Sequence, residues 1–334
     1  MTTTRVRDGF PEGSPFHHGE LEVQDNVGVK DKVARFGQRM IQPFMDDDHR
    51  EFFEELPFVF VGSLDASGQP WASIIWGLPG FATAPDPTTL VLAGNVAAGD
   101  PLLGNHTVGS PIGVLGLELD TRRRNRANGV VVASATDGKA FTLRVHQSFG
   151  NCQKYIQVRH AKFRRRPSVA VAMPVTVEGA SLSLEARRIV SASDTFFIAS
   201  ASAAPSTMMD GAQGEGVDVS HRGGIPGFAG LGEDDGHTVI SFPDYLGNFL
   251  FNTLGNIQAN PRVGLLFVDF EQGSLLTLAG QARIVWDGPE VRAVPGAQRL
   301  VRVTIERGVH IANALPFAWT EPEFAPQFVR RQRA

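Results

Sequence analysis

The feature that most constrains this chain is a repeat. Gly77-Leu78-Pro79-Gly80-Phe81 returns 147 residues later as Gly224-Ile225-Pro226-Gly227-Phe228. Ile112-Gly113-Val114-Leu115 returns as Val263-Gly264-Leu265-Leu266, and Asn128-Gly129 meets Ala279-Gly280, both at an offset of 151. The shared order and nearly constant offset mark an internal duplication. The fold is then built twice, from units of about 120–140 residues, a normal domain size.

Each unit reads as strand-rich, because the chain's 36 glycines and 21 prolines interrupt many short apolar runs. PFVFVGSLDASGQPWASIIW reads as two strands around a turn at Asp65–Gln69. TLVLAGN, IGVLGLELD, RANGVVVASA and KAFTLRVHQSF continue a sheet, with GDPLLGNH as a helical turn. SASDTFFIASAS, GVDVSHRGG, TVISF, VGLLFVDF and LLTLAGQARIVW repeat that outline.

Ahead of the first sheet, residues 1–28 read as an irregular arm, Val29–Met45 as an amphipathic helix and HREFFEEL as a short helix ended by Pro57. NCQKYIQVRH reads as another short helix, capped by Asn151. The expected architecture is mainly β, with two tandem barrels and flanking helices. An arm and helix occupy 1–48, a first barrel 49–165 and a second 166–334.

Bulk properties exclude several classes. A formal net charge of -4 gives no general attraction to nucleic acid or an anionic membrane, so any anion site must be built locally. No run of about 18 apolar residues is present to cross a membrane as a helix. The first residues lack the apolar core of a signal peptide, and Cys152, the sole cysteine, allows no intrachain disulfide. A cytoplasmic location is the expectation. The nine histidines show no paired ligand spacing, so no metal site is expected.

The differences between the copies carry the functional signal. Ser73, Ile74, Ile75 and Trp76 align with Ser220, His221, Arg222 and Gly223, and Pro101-Leu102 aligns with Asn252-Thr253. Twice the first copy is apolar where the second is polar. Arg222 and His221 offer charge-assisted hydrogen bonds, and Ser220 and Thr253 offer hydroxyls. Gly223 and Gly224 permit close backbone approach, and a helix start nearby adds unpaired N–H groups. This is a phosphate cradle. Of the asparagines at 248, 252, 256 and 260, Asn248 fits a helix cap and Asn260 the helix exit. Asn256 has a counterpart, Asn105, and reads as structural; Asn252 is the expected ligand contact.

These residues also resemble a known family. NFLFNTLGNIQANPRVGLLF, preceded by SHRGGIPGF, is similar to the FMN-binding split barrels related to pyridoxamine 5'-phosphate oxidase. With FGNCQKYIQ at 149–157, the chain more closely resembles predicted flavin-nucleotide-binding proteins, over about residues 16–290. The resemblance implies FMN as cofactor, lying in a groove between two barrels that this duplicated chain provides by itself as a pseudo-dimer. It implies a phosphate on the second barrel and a ring walled by Trp71, Ser73 and Trp76 of the first. Asn252-Thr253 stands where the oxidase has an Arg-Lys pair, which argues against pyridoxamine phosphate oxidation and leaves the charge to Arg222, His221 and the helix terminus.

The implied activity is an FMN-dependent oxidoreductase using a small substrate and NAD(P)H or a protein electron donor. A non-catalytic flavin carrier or sensor, and a barrel holding haem or a deazaflavin, remain open, as does a further homodimer. Cys152 reads as a small buried hydrophobe in preference to a catalytic thiol, and Tyr155 equally as pocket wall or anchor. The TRRRNR run at 121–126 reads as a solvated strand face, and RHAKFRRRP at 159–167 as a basic linker. Phe317-Ala318-Trp319 either caps a pocket or packs on the barrel.

Overall fold

A computed structural model describes residues 14–135, 140–164, 173–203 and 214–332. Seven strands form a first antiparallel sheet: β1 (Phe58–Leu64), β2 (Pro70–Trp76), β3 (Ala82–Asp86), β4 (Thr89–Leu92), β5 (Pro111–Glu118), β6 (Arg123–Ser134) and β7 (Phe141–Gly150). Their order is β2-β1-β5-β6-β7-β4-β3. A second sheet contains β8 (Thr195–Ala201), β9 (Val217–Gly223), β10 (Gly230–Asp234), β11 (His237–Tyr245), β12 (Arg262–Asp269), β13 (Ser274–Val285) and β14 (Ala297–Ile311). It runs β9-β8-β12-β13-β14-β11-β10, with a short strand over Val175–Glu178 added to β14. Each of the seven strands β8 to β14 takes the place of the strand seven before it. Even an irregularity is repeated: the register slips at Asn128/Gly129 and again at Ala279/Gly280. The duplication therefore extends to topology and bulge position.

The central strands read as continuous apolar runs because both of their faces are buried. Successive side chains on a strand point to opposite sides. In β1, Val59 and Val61 enter the first barrel's core, while Phe58 and Phe60 enter a separate cluster shared by both halves. In β8, Phe196 and Ile198 fill the second barrel, while Phe197 and Ala199 join the shared cluster. Among the described residues the three large cores thus lie one inside each barrel and one between them, with a smaller cluster of Phe16, Val33, Ile41, Phe149 and Leu250 under the N-terminal helices.

The middle core has approximate two-fold symmetry. Phe60 and Phe197, at equivalent positions of β1 and β8, stack with centroids 3.4 Å apart and planes 14° from parallel. On either side the backbones approach closely at a glycine. A Cβ on Gly113 would run into the Val217 carbonyl, and one on Gly264 into the Pro70 carbonyl. Those two glycines are the repeat pair separated by 151 residues.

The helices are α1 (His18–Asn26), α2 (Lys30–Met40), α3 (Asp47–Glu55), α4 (Leu184–Ala192) and α5 (Asn252–Ala259), with short ones over Pro289–Arg292 and Pro326–Gln332. Helix α1 corrects the expectation of an irregular arm. Its capping box pairs the His17 ring nitrogen with the Gly19 N–H and the Glu20 carboxylate with the His17 N–H. It crosses α5 where Gly19 meets Gly255, so the helix is held by capping and a close crossing. Its apolar pattern is too weak to have announced it.

NCQKYIQVRH is not a helix: Tyr155 has φ 68°, and the Val158 backbone bridges to Glu323. The asparagine-rich helix begins at Asn252, so Asn248 is not its cap; the Asn248 side-chain carbonyl instead accepts from the Leu250 N–H at 3.1 Å. In the basic stretch 159–167, Arg159 is buried and forked onto Asp194 at 2.6 and 3.1 Å, and Ala161–Phe163 pairs with Phe317–Trp319 as a small sheet. Residues 165–167 lie outside the described residues. Phe317 packs on the barrels, 5.6 Å from the Phe58 ring.

Gly264→Ala is expected to destabilise the chain by about 1–3 kcal/mol, because the added methyl has no room between the barrels. Gly232→Ala, on the open edge strand β10, serves as the comparison and should stay within about 1 kcal/mol of the parent. Denaturant unfolding of both variants measures the difference; equal stabilities would contradict the tight inter-barrel contact.

Candidate functional site

A cleft opens where the end of β9 and the start of α5 face the first barrel. The second half contributes Ser220, His221, Arg222 and Gly223 from β9, Asp244 from β11, Asn248, and Phe251, Asn252 and Thr253 around the helix start. The first half contributes Arg124 and Arg126 from β6, followed by Cys152, Lys154 and Tyr155 from the loop after β7. Its volume is about 110 Å³. Whole-ligand pockets run to roughly 300–1,000 Å³. The cleft therefore accommodates one compact group, with anything larger lying across its mouth.

Most residues picked from the second copy meet here. Gly224 does not: its N–H is bonded to the Asp194 carbonyl at 2.9 Å and its carbonyl to the Gln157 amide at 2.8 Å. Gly223 is required for another reason, since the Tyr155 carbonyl occupies the place a Cβ would take. Trp71, Ser73 and Trp76 lie away from the cleft. Trp71 donates its indole N–H to Asp65 at 3.0 Å, Ser73 bonds to Asp100 at 2.5 Å, and Trp76 is buried in the middle core. The physical reason is the two-fold arrangement. β2 occupies in the first copy the place that β9 holds in the second; the first-barrel strands beside β9 are β5, whose Gly113 meets Val217, and β6, whose Arg126 and Asn128 side chains reach Asp218 and Ser220.

The cations on β6 are the residues the sequence argument set aside. Along this strand Ala127 enters the first core, whereas Arg126 and Asn128 reach across to the second barrel and Arg124 lines the cleft. Arg123 lies instead over the Phe52 ring at 4.8 Å. The period of two in RRNRAN was the available signal, since residues 124, 126 and 128 share one face. Reading the run as uniformly solvated hid it.

Charge in the cleft is only partly compensated. Arg126 donates to Asp218 at 3.0 Å and to the Ser220 hydroxyl at 2.7 Å, but its buried Nε has no partner. Arg222 reaches Asp244 at 3.5 Å, and its Nε is also without a partner. Asp244 is shared with Arg299, 3.7 Å away. Burial pulls Arg222 and Arg124 below the ordinary arginine range, yet guanidinium groups remain cationic in proteins. The His221 imidazole is held well below its usual range by burial and by Arg124, Arg222 and Arg159, so it is neutral at pH 7. Its Nε2 is buried without a partner.

Comparison of the two copies shows what these groups lack. At the offset of 151, Asn105 and Asn256 correspond, and they donate to equivalent serines, Ser63 at 3.3 Å and Ser200 at 3.0 Å. That pair is structural. Asp100 corresponds to Phe251. In the first copy the Asp100 carboxylate caps a single 3-10 turn over Pro101–Gly104, accepting from the Leu102 N–H at 2.9 Å and the Ser73 hydroxyl. In the second copy the cap position is Phe251, at φ 63° and with no side-chain acceptor. The helix N–H groups and Ser220 thus face the cleft without the carboxylate their counterparts have.

Asn252 makes a different contact from the one expected. Its amide donates to Glu20 of α1 at 2.6 Å. Glu20 is buried, and burial together with the nearby Asp218 pushes its carboxyl well above the ordinary range. His17 beside it is pulled down to about 4 by burial. Asn252 therefore both lines the cleft and ties α5 to the sequence-distant arm. Among the described residues no cluster of His, Cys, Asp or Glu is suited to a metal ion, and no helix is long and apolar enough to cross a membrane.

Residues 45–178 match the family described as Pyridoxamine 5'-phosphate oxidase. No curated protein matches the sequence. Among solved structures, HupZ from Group A Streptococcus aligns with 37% of this chain and 90% of its own, at 15% identity and a TM-score of 0.27. A FAD-binding protein from Mesorhizobium loti aligns over 41% and 98% at 17% identity and 0.26. HutZ, the heme storage protein from Vibrio cholerae, aligns over 40% and 95% at 14% identity and 0.26.

Burial raises the Asp100 carboxyl from 3.8 to about 6. Between those values the folded chain keeps a proton that the unfolded chain has released, so this group's contribution to stability falls as pH rises through the window and is flat above it. Asp100→Asn keeps a carbonyl acceptor but cannot titrate. The parent should lose up to about 3 kcal/mol relative to this variant between roughly pH 4 and 6, at about 1.4 kcal/mol per unit. Paired denaturant titrations across that range test it.

Proposed function

We propose that this chain, whose residues 45–178 match the pyridoxamine 5'-phosphate oxidase family, binds FMN, one molecule per chain, by its phosphate in the cleft between β6, β9 and α5. The exchange of Asp100 for Phe251 carries this reading. A carboxylate is a fixed anion on the end of a turn. Where the first barrel has one, its hydroxyl and helix N–H groups are satisfied internally. Where the second barrel has phenylalanine, equivalent donors and the unpaired edges of Arg126 and Arg222 call for an anion from outside. The cleft's small volume suits a phosphate with the rest of the nucleotide at its mouth.

Arg222, Arg124 and Arg126 would hold the phosphate charge, with Ser220, Thr253 and the first N–H groups of α5 orienting it. His221, neutral and flanked by arginines, adds a hydrogen bond without adding charge. Tyr155 and Tyr245, with ring centroids 5.0 Å apart, form an aromatic rim at the cleft. A bound flavin performs hydride or electron transfer by itself, while the protein binds, orients and tunes it. The activity on this reading is oxidoreduction between NAD(P)H or an electron-transfer protein and a small substrate. A flavin carrier without turnover shares the same site. Bleaching of the bound flavin by a reduced donor would separate the two.

His221 supports a second reading. A neutral imidazole with a free, buried Nε2 is the donor a haem iron takes. The visible spectrum of the purified protein distinguishes these: flavin bands for the first reading, a Soret band for the second.

Phe251→Asp copies the first barrel's carboxylate into the second and should abolish FMN binding while leaving the fold intact, because aspartate tolerates the left-handed backbone at this position. Phe251→Leu should retain binding. Titration calorimetry that found equal affinity for both variants would refute the anion cradle. Arg222→Ala should weaken FMN binding by about 10–100-fold, as for loss of a charge-assisted hydrogen bond. Arg123→Ala, over Phe52, should leave it nearly unchanged. Equal dissociation constants for these two variants would refute the assignment of Arg222.

A further inference from the structure

Cys152 lies in the wall of the same cleft, half-buried, on the loop that follows β7. Its carbonyl accepts from Arg124 Nε at 2.7 Å, and its sulfur is 3.5 Å from Arg124 Nη2. Lys154 and Arg222 line the same space. Two further observations point to a ligand in the cleft that the thiol lines. His221 and Arg126, 5% and 3% exposed, line this cleft with a nitrogen that has no partner. A thiol in an electropositive, accessible setting is the kind that reacts. A cleft of one sign also raises the local concentration of oppositely charged reagents.

We propose that Cys152 is a modification site: its sulfur takes up small anionic disulfides drawn in by the cleft arginines, and the adduct closes the cleft to phosphate. In the step, the Cys152 thiol gives its proton to solvent and the thiolate attacks one sulfur of the disulfide. The old S–S bond breaks, a new bond forms from Cys152 Sγ, and the other half leaves as a thiolate carrying the electron pair. Cys152 is oxidised and the leaving half reduced, so no other oxidant enters. The proposal rests on the anion cradle but not on FMN as its occupant. Modification would switch the site off, and a thiol reductant would restore it.

The chain's single cysteine makes the test direct, because every reacting thiol is Cys152. The probes are 5,5'-dithiobis(2-nitrobenzoate), a dianion, and 4,4'-dithiodipyridine, which is neutral at pH 7. The ratio of their rate constants is compared with the same ratio for N-acetylcysteine amide. A preference for the dianion at least about tenfold above that of the free thiol is expected, falling with added salt. Inorganic phosphate should slow the dianion in the parent protein, and Arg124→Gln should remove most of the preference. A ratio equal to that of the free thiol, or a rate indifferent to phosphate, would overturn the proposal. Neither measurement uses FMN. Failure of FMN to bind an unmodified chain that still shows the anionic preference would overturn the flavin assignment and leave the Cys152 site standing.

Discussion

Everything distinctive about this molecule follows from the contact between its two sheets. The Phe60–Phe197 stack and the glycine approaches at Gly113 and Gly264 press the barrels together along β1 and β8. Each central strand then buries both faces, and the shared apolar cluster becomes a third core. That packing brings Arg124 and Arg126 of one half against Ser220 and Arg222 of the other. Neither half alone contains the cleft. A one-residue slip of β6 against its sheet neighbours β5 and β7 would turn it over and replace the arginine face with Arg123 and Asn125.

The duplicated chain has two such places, and they differ in charge. In the first, the Asp100 carboxylate caps the turn, and Thr277, the counterpart of Arg126, bonds to the Ala72 carbonyl at 3.0 Å. In the second, arginines line the cleft and Phe251 stands in place of the carboxylate. The helix behind each has followed: α5 spans eight residues, whereas its counterpart is one 3-10 turn of four. A carboxylate cap satisfies a short turn completely. An uncapped helix end gains from an anion that is free to arrive and leave.

The N-terminal helix ties the arrangement down from outside both sheets. Glu20 holds Asn252 at the very start of α5, and the Gly19–Gly255 crossing fixes the distance. Asn256 and Asn128 meet on Asp218, which also takes Arg126. One buried polar network thus runs from the arm through α5 to the cleft cations. Such networks fix geometry because a displaced member leaves a buried polar group without a partner.

The sequence by itself determined the duplication, the strand-rich character and the polar segments of the second copy. These are local: they rest on repeated motifs, turn residues and alternating burial, all of which a chain displays along its length. The SHRGG segment and Thr253 were legible as candidate-site residues because the sister copy served as an internal control, and Ser220 to Gly223 and Thr253 line one cleft. Only the tertiary structure decided which first-copy residues complete it. The family resemblance implied Trp71, Ser73 and Trp76, but the approximate two-fold arrangement brings the side chains of β6, not those of β2, to β9. It also decided that α1 is a helix and that residue 252 answers to Glu20, a contact 232 positions distant in the chain. Symmetry and long-range contacts of this kind depend on how finished sheets stack, and no stretch of sequence carries that alone.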